Sequence, residues 1–178
     1  IRNRDTIEEK TRPALIDDLS LSIVGDDSSD FESLFDGHSL EGWTGATNGY
    51  HVRDGAIECD PDTGFGGNLL TEEEFADFVL RFEFKLLPGA NNGIALRAPL
   101  EGDPAYEGME SQILDNTDRR YAGIRPWQRH ASIYGISPAS PGYQRPIGEW
   151  NQQEIRVVGR RVRITLNGTV ILDCDLDQ

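Results

Sequence analysis

Phe78-Val79-Leu80-Arg81-Phe82-Glu83-Phe84-Lys85-Leu86 is the stretch whose reading decides the fold. Phe78, Leu80, Phe82, Phe84 and Leu86 alternate with Val79, Arg81, Glu83 and Lys85, so one side of the segment is apolar and the other largely charged. A period of two is that of an extended strand with one face on a core and one in water, as in antiparallel sheets. Downstream, Pro88-Gly89-Ala90-Asn91-Asn92-Gly93 reads as a loop of turn formers, followed by a strand at Ile94–Ala98. Ile155–Val158 and Val162–Leu166 predict a hairpin around Gly159-Arg160. Asn167-Gly168 predicts a second tight turn into Val170-Ile171-Leu172, because both residues tolerate positive φ. The one helical signal after residue 30 is Thr71-Glu72-Glu73-Glu74, which has capping-box spacing and predicts a single turn. Many short strands with little helix predict an all-β fold, a two-sheet antiparallel sandwich.

Residues 1–30 differ in character. Thr6–Leu19 has partly helical patterning interrupted by Pro13, and the acidic Gly25-Asp26-Asp27-Ser28-Ser29-Asp30 reads as a linker. The reading is a peripheral lead over 1–30 and a domain over 31–178. The formal charge of −14 disfavours nucleic acid or an anionic membrane surface as partner. No apolar run of about 18 residues predicts a membrane span. Cys59 and Cys174 lack metal-type spacing; they are either two thiols or a pair, the latter if an early strand lies beside a late one.

The chemistry-bearing candidates begin with Glu110-Ser111-Gln112-Ile113-Leu114-Asp115, which reads as a strand. Glu110 and Gln112 share a face, and a one-residue bulge at Ile113-Leu114 would return Asp115 to it. Two carboxylates and an amide together suit acid/base work on sugars; a solvated strand face ending in an Asp-Asn turn is the equal alternative. Arg97, opposite Ile94 and Leu96 in alternation, is read as a ligand for a hydroxyl or as half of a structural ion pair. Asn92 reads as turn or binding residue. Asn116–His130 is a long, Arg-rich loop whose Trp127 suits stacking on a pyranose or plugging the core edge. His130, Ser132 and Tyr134 alternate with Ala131 and Ile133, which predicts a shared face, with His130 as an acid, base or metal ligand. Three His without ligand spacing do not make an imidazole metal site. No cofactor is evident, and a calcium-type divalent site of Asp, Asn and carbonyl oxygens stays open. The sequence contains no G-x-S-x-G, Walker loop or H-E-x-x-H.

Several segments together resemble the 3-keto-disaccharide hydrolase family: Phe31-Glu32-Ser33-Leu34-Phe35-Asp36-Gly37, Leu40-Glu41-Gly42-Trp43, Val52-Arg53-Asp54-Gly55-Ala56-Ile57, Leu70-Thr71, Phe75-Ala76-Asp77-Phe78, Asn92–Arg97, Glu110–Asn116, Ser132–Gly135 and Gly148–Asn151. The resemblance implies a concanavalin A-like jelly roll, an exported, periplasmic or extracellular location, and carbohydrate chemistry on a concave sheet. It also implies a further glycine- and His-containing strand beyond Gln178. Glu110-x-Gln112-x-x-Asp115 is more distantly similar to the E-x-D-x-x-E strand of laminarinase-type glucanases. Gln112 in place of an acid departs from that pattern, and with it from a retaining mechanism using carboxyl groups about 5 Å apart. A 3-keto-glucoside or disaccharide offers elimination instead: a base, Glu110 or Asp115, near C2 and a group such as Arg97, His130 or Tyr134 at the ketone oxygen. The residue reading and the resemblance together assign catalysis to Glu110, Asp115 and His130, and substrate binding to Arg97, Gln112, Trp127, Tyr134 and Asn92. A non-catalytic carbohydrate-binding module is the alternative, since fold does not settle function.

Overall fold

The computed structural model describes residues 14–23, 31–59, 67–99, 102 and 104–177. The lead at 1–13, the acidic stretch at 24–30 and the glycine-rich Gly64–Gly66 lie outside the described residues. The larger sheet is antiparallel and is built around β7 (Phe78–Leu86). On one side β7 pairs with β10 (Trp150–Val158), which continues to β11 (Arg161–Leu166) and β12 (Thr169–Asp175). On the other it pairs with β1 (Ala14–Ile23), then β5 (Ala56–Cys59) and β4 (Tyr50–Arg53), and the short β2 (Glu32–Ser33) joins the end of β1. β8 (Asn91–Leu96) and β9 (Met109–Leu114) form the opposing layer, and β3 (Trp43–Gly45) pairs with β6 (Leu69–Thr71). The chain is therefore an all-β antiparallel sandwich.

The alternation of β7 is met in space. Phe78, Leu80, Phe82, Phe84 and Leu86 enter the core with Ile155 and Val157 of β10, Val162, Ile164 and Leu166 of β11, and Leu96, Ile113 and Ile133 from the opposing layer. Each fully buried Leu, Ile or Phe among them contributes roughly 1.5–3 kcal/mol by leaving water. The other face of β7 carries ion pairs, such as Arg81 Nε to Glu154 Oε2 at 2.7 Å. Both predicted hairpins form. Asn167 and Gly168 take φ of 48° and 83°, so the turn is one that most L-residues would strain to make.

Three expectations are corrected. Ala14–Leu19 is strand, not helix, and lies between β7 and β5 rather than at the periphery; its continuation Leu19-Ser20-Leu21-Ser22-Ile23 has the period of two that a strand requires. Thr71 opens no helix: it ends β6, and its hydroxyl donates to Glu73 O at 2.8 Å, closing a turn. Asn91-Asn92-Gly93 is strand rather than loop, because its backbone pairs with Ile113, Leu114 and Gln112 of β9. Of the two alternatives open for the cysteines the thiol one holds: Cys59 on β5 and Cys174 on β12 form no disulfide. They stand five strand steps apart in one sheet, roughly 24 Å at normal strand spacing, and cannot bond.

Candidate active site

The site is assembled on the outward face of the β8–β9 layer. β9 pairs with β8 in an unbroken register from Leu96↔Met109 to Asn91↔Leu114. Its second edge is lined by residues 131–134: Ala131 N donates to Gln112 O, Gln112 N to Ser132 O, and Tyr134 N to Glu110 O. With Met109, Ile113 and Ile133 packed on the core, alternation turns Glu110, Gln112 and Tyr134 outward together with Asn91 and Gly93.

Each outward group has a defined support. An added Cβ at Gly93 would overlap the Glu110 carboxylate, so the missing side chain is what lets Glu110 lie across β8. Gln112 is buried, and its Nε2 donates to Asn91 Oδ1 at 2.7 Å. Tyr134 OH accepts from Gln128 Nε2 at 2.9 Å, which leaves the phenol proton available to a ligand. Trp127 meets the Tyr134 ring edge-on with centroids 5.6 Å apart, and both rings are half-exposed. A carboxylate, a fixed amide, a phenol donor and an indole face are thus brought together from the chain segments around 91, 110, 128 and 134.

The other candidates lie elsewhere. The bulge expected at Ile113-Leu114 is absent, because the register runs straight through both residues. Asp115 is 2 % exposed beyond the end of β9. Its carboxylate accepts from Gly89 N at 2.7 Å, Thr117 N at 2.9 Å and Thr117 Oγ1 at 2.6 Å, so it holds two loops together instead of joining Glu110. His130 does not share the Tyr134 face: Ala131 has φ of 59°, which breaks the alternation and sends the imidazole inward against Phe84, with ring centroids 5.0 Å apart. Its Nδ1 accepts from Leu114 N at 3.3 Å. Burial pushes its pKa down to about 3; Gln153 lies close enough to soften that push, yet neither side chain reaches hydrogen-bond geometry with the other. An acceptor at Nδ1 and a depressed pKa both require the neutral ring.

Arg97 serves architecture. Its guanidinium donates to Ala76 O at 2.7 Å, to Gly159 O at 2.5 Å and to Asp77 Oδ1 at 2.6 Å, so the ion-pair alternative describes it. Asn92 pairs with core-facing Ile113 and lies on the inner side of β8, where its Oδ1 accepts from Gly93 N. It lines, with Trp43, Tyr50, Phe75 and Arg97, a cleft of about 750 Å³ between the layers. That cleft is walled mainly by core-face apolar side chains, and none of Glu110, Gln112, Trp127, Gln128 and Tyr134 lines it. Asn91 and Gln128 were missed from sequence. Asn91 was legible only once its segment is known to be strand, and no local signal marks Gln128. Among the described residues no group of three or more His, Cys, Asp or Glu gathers to hold a metal ion.

Residues 30–178 match the 3-keto-alpha-glucoside-1,2-lyase-like domain. A 3-keto-disaccharide hydrolase of Bacteroides thetaiotaomicron is 29% identical over 170 residues, an alignment that takes in 82% of this chain and 58% of that protein. The chain thus spans little more than half of that relative. Crystal structures of Parabacteroides distasonis ATCC 8503 proteins provisionally assigned as glycosyl hydrolases share the fold. One superposes with a TM-score of 0.70 at 22% identity, covering 83% of this chain and 72% of its own. Another gives 0.65 at 23% identity, covering 76% and 67%. The match to the domain runs over most of the sequence and all of the β7–β12 framework that carries the Glu110 face, and on that ground the chain belongs to the 3-keto-alpha-glucoside-1,2-lyase-like family.

Proposed function

We propose that this chain is a glycoside-cleaving domain that acts on 3-keto-glycosides through the outward face of β9, with Glu110 as the base. The observation that carries this reading is the Glu110 carboxylate laid over Gly93 on β8, with Tyr134, whose backbone N–H donates to Glu110 O, on the other flank of β9. A carbonyl at C3 of a sugar acidifies the hydrogen at C2. Glu110 removes that proton, and the electron pair moves onto the C3 oxygen as an enolate. Tyr134, its oxygen already accepting from Gln128, donates its phenol hydrogen bond to that oxygen as charge develops. Return of the carbonyl forms the C1–C2 double bond and breaks the C1–O bond, and the proton held by Glu110 passes to the departing oxygen. Addition of water across C1–C2 would complete a net hydrolysis. Trp127 offers its half-exposed indole to the apolar face of the ring. One well-placed base and one donor suffice, so the chemistry tolerates Gln112 where a retaining glucanase needs an acid.

The 3-keto-disaccharide hydrolase of Bacteroides thetaiotaomicron and the 3-keto-alpha-glucoside-1,2-lyase-like family both favour a 3-keto sugar over an unmodified one. The test is release of the aglycone from a 3-keto-glucoside and from its unoxidised parent, followed by mass spectrometry, with and without added calcium or other divalent metal. Cleavage of the keto form alone is expected. Equal cleavage of both would overturn the ketone's role. Saturable glycan binding with no cleavage would make the domain a carbohydrate-binding module built on Trp127 and Tyr134.

A further inference from the structure

The acidic balance of this chain conceals a basic segment. Residues 119–148 contain five arginines and no Asp or Glu, although the chain as a whole has 31 acidic residues and a net charge of −14. Elsewhere among the described residues several arginines are paired, such as Arg81 with Glu154, Arg97 with Asp77, and Arg161 and Arg163 with Asp173. Within the basic segment Arg120 is paired, with Asp118. Arg129 and Arg145 have no acidic partner among the described residues, and both line a cavity of about 700 Å³ just past the end of β9.

The walls of that cavity supply hydrogen-bonding groups beside the two guanidinium forks. Asn116 uses its Oδ1 to accept from His130 N, which leaves its amide donors to the cavity it lines. Gln144 donates from Nε2 to Leu114 O and so anchors the 141–147 wall to the end of β9. Pro141, Pro146 and Ile147 make the rest of that wall stiff and apolar, suited to the carbon skeleton of a sugar. Two unpaired arginines in a concave site attract a compact oxyanion strongly, because the planar fork matches carboxylate and sulfate geometry in a bidentate way.

We propose that this cavity is a binding subsite for the oxyanionic substituent of a sugar, either a uronate carboxylate or a sulfate ester. Asn116 is six residues from Glu110, at most roughly 20 Å along an extended chain. The subsite is therefore a separate contact point on the same layer, and it stands whether or not Glu110 is a base.

Binding is read without turnover, by calorimetric titration of the full chain with glucuronate, glucose 6-sulfate, inorganic sulfate and glucose at low and at physiological salt. Saturable binding is expected for glucuronate, glucose 6-sulfate or both, and the one that binds identifies the source of the anion. It should weaken at least ten-fold in Arg129→Gln and in Arg145→Gln, and should weaken with salt. Arg156→Gln, an exposed arginine on β10 in the larger sheet, should bind as the parent does, and far-UV circular dichroism checks that each variant is folded. Glucose binding as well as the two charged sugars would overturn the proposal. So would inorganic sulfate matching the sugar sulfate, retention of affinity in both cavity variants, or no saturable binding of either charged sugar.

Discussion

Lowering the pH from 7 to 5 should destabilise the fold through His130 specifically. The ring is 4 % exposed against Phe84, and its Nδ1 accepts the Leu114 amide proton, so a proton added there would remove a hydrogen bond and bury a charge. Burial lowers its pKa from 6.5 to about 3. The sign follows directly: between those values the unfolded chain binds a proton that the folded chain refuses. Stability from this group is therefore fully present above pH 6.5 and is lost as pH falls toward 3. Each unit is worth 1.36 kcal/mol, so the step from pH 6.5 to 5 removes about 2 kcal/mol. In a domain of this size that is a fall of roughly 4–8 °C in Tm. Urea unfolding at pH 7 and pH 5 should be compared for the parent and for His130→Asn, which cannot titrate yet retains an acceptor for Leu114. The parent should lose about 2 kcal/mol more than the variant between the two pH values. Parallel losses would refute the claim that a neutral, buried imidazole is required.

Glu110→Gln should lower cleavage of a 3-keto-glucoside by roughly 10²- to 10⁴-fold, the range of a general base, with Tm little changed. Gly93→Ala should also depress turnover while leaving stability nearly intact, because the new methyl displaces only the flexible end of Glu110; a variant as active as the parent would remove Gly93 from the site. Asp115→Asn should cost roughly 1.5–3 kcal/mol, as loss of charge-assisted bonds to Gly89 and Thr117, and should leave the rate per folded molecule unchanged when turnover is corrected for unfolded protein. Alkylation without reductant should modify both Cys59 and Cys174 once the chain is denatured, since neither is bonded to the other.

Local pattern determined a good part of this molecule. The period of two in Phe78–Leu86 makes a strand wherever a core is available, and Asn167-Gly168 makes a tight hairpin because both residues accept positive φ. For the same reason the shared face of Glu110 and Gln112 was legible: side chains two apart on a strand cannot avoid it. What tertiary structure alone decided depends on distant partners or on single backbone angles. Arg97 became a brace because Asp77 and Gly159 O, 20 and 62 residues away, come within its reach. Asp115 became a loop clamp because Gly89 docks against it from 26 residues upstream. His130 turned inward at one left-handed residue, Ala131, that no residue type announces. The two cysteines were kept apart by strand order, which period and propensity do not encode. Sequence thus determined which residues alternate, and the packing of remote segments decided which of them meet.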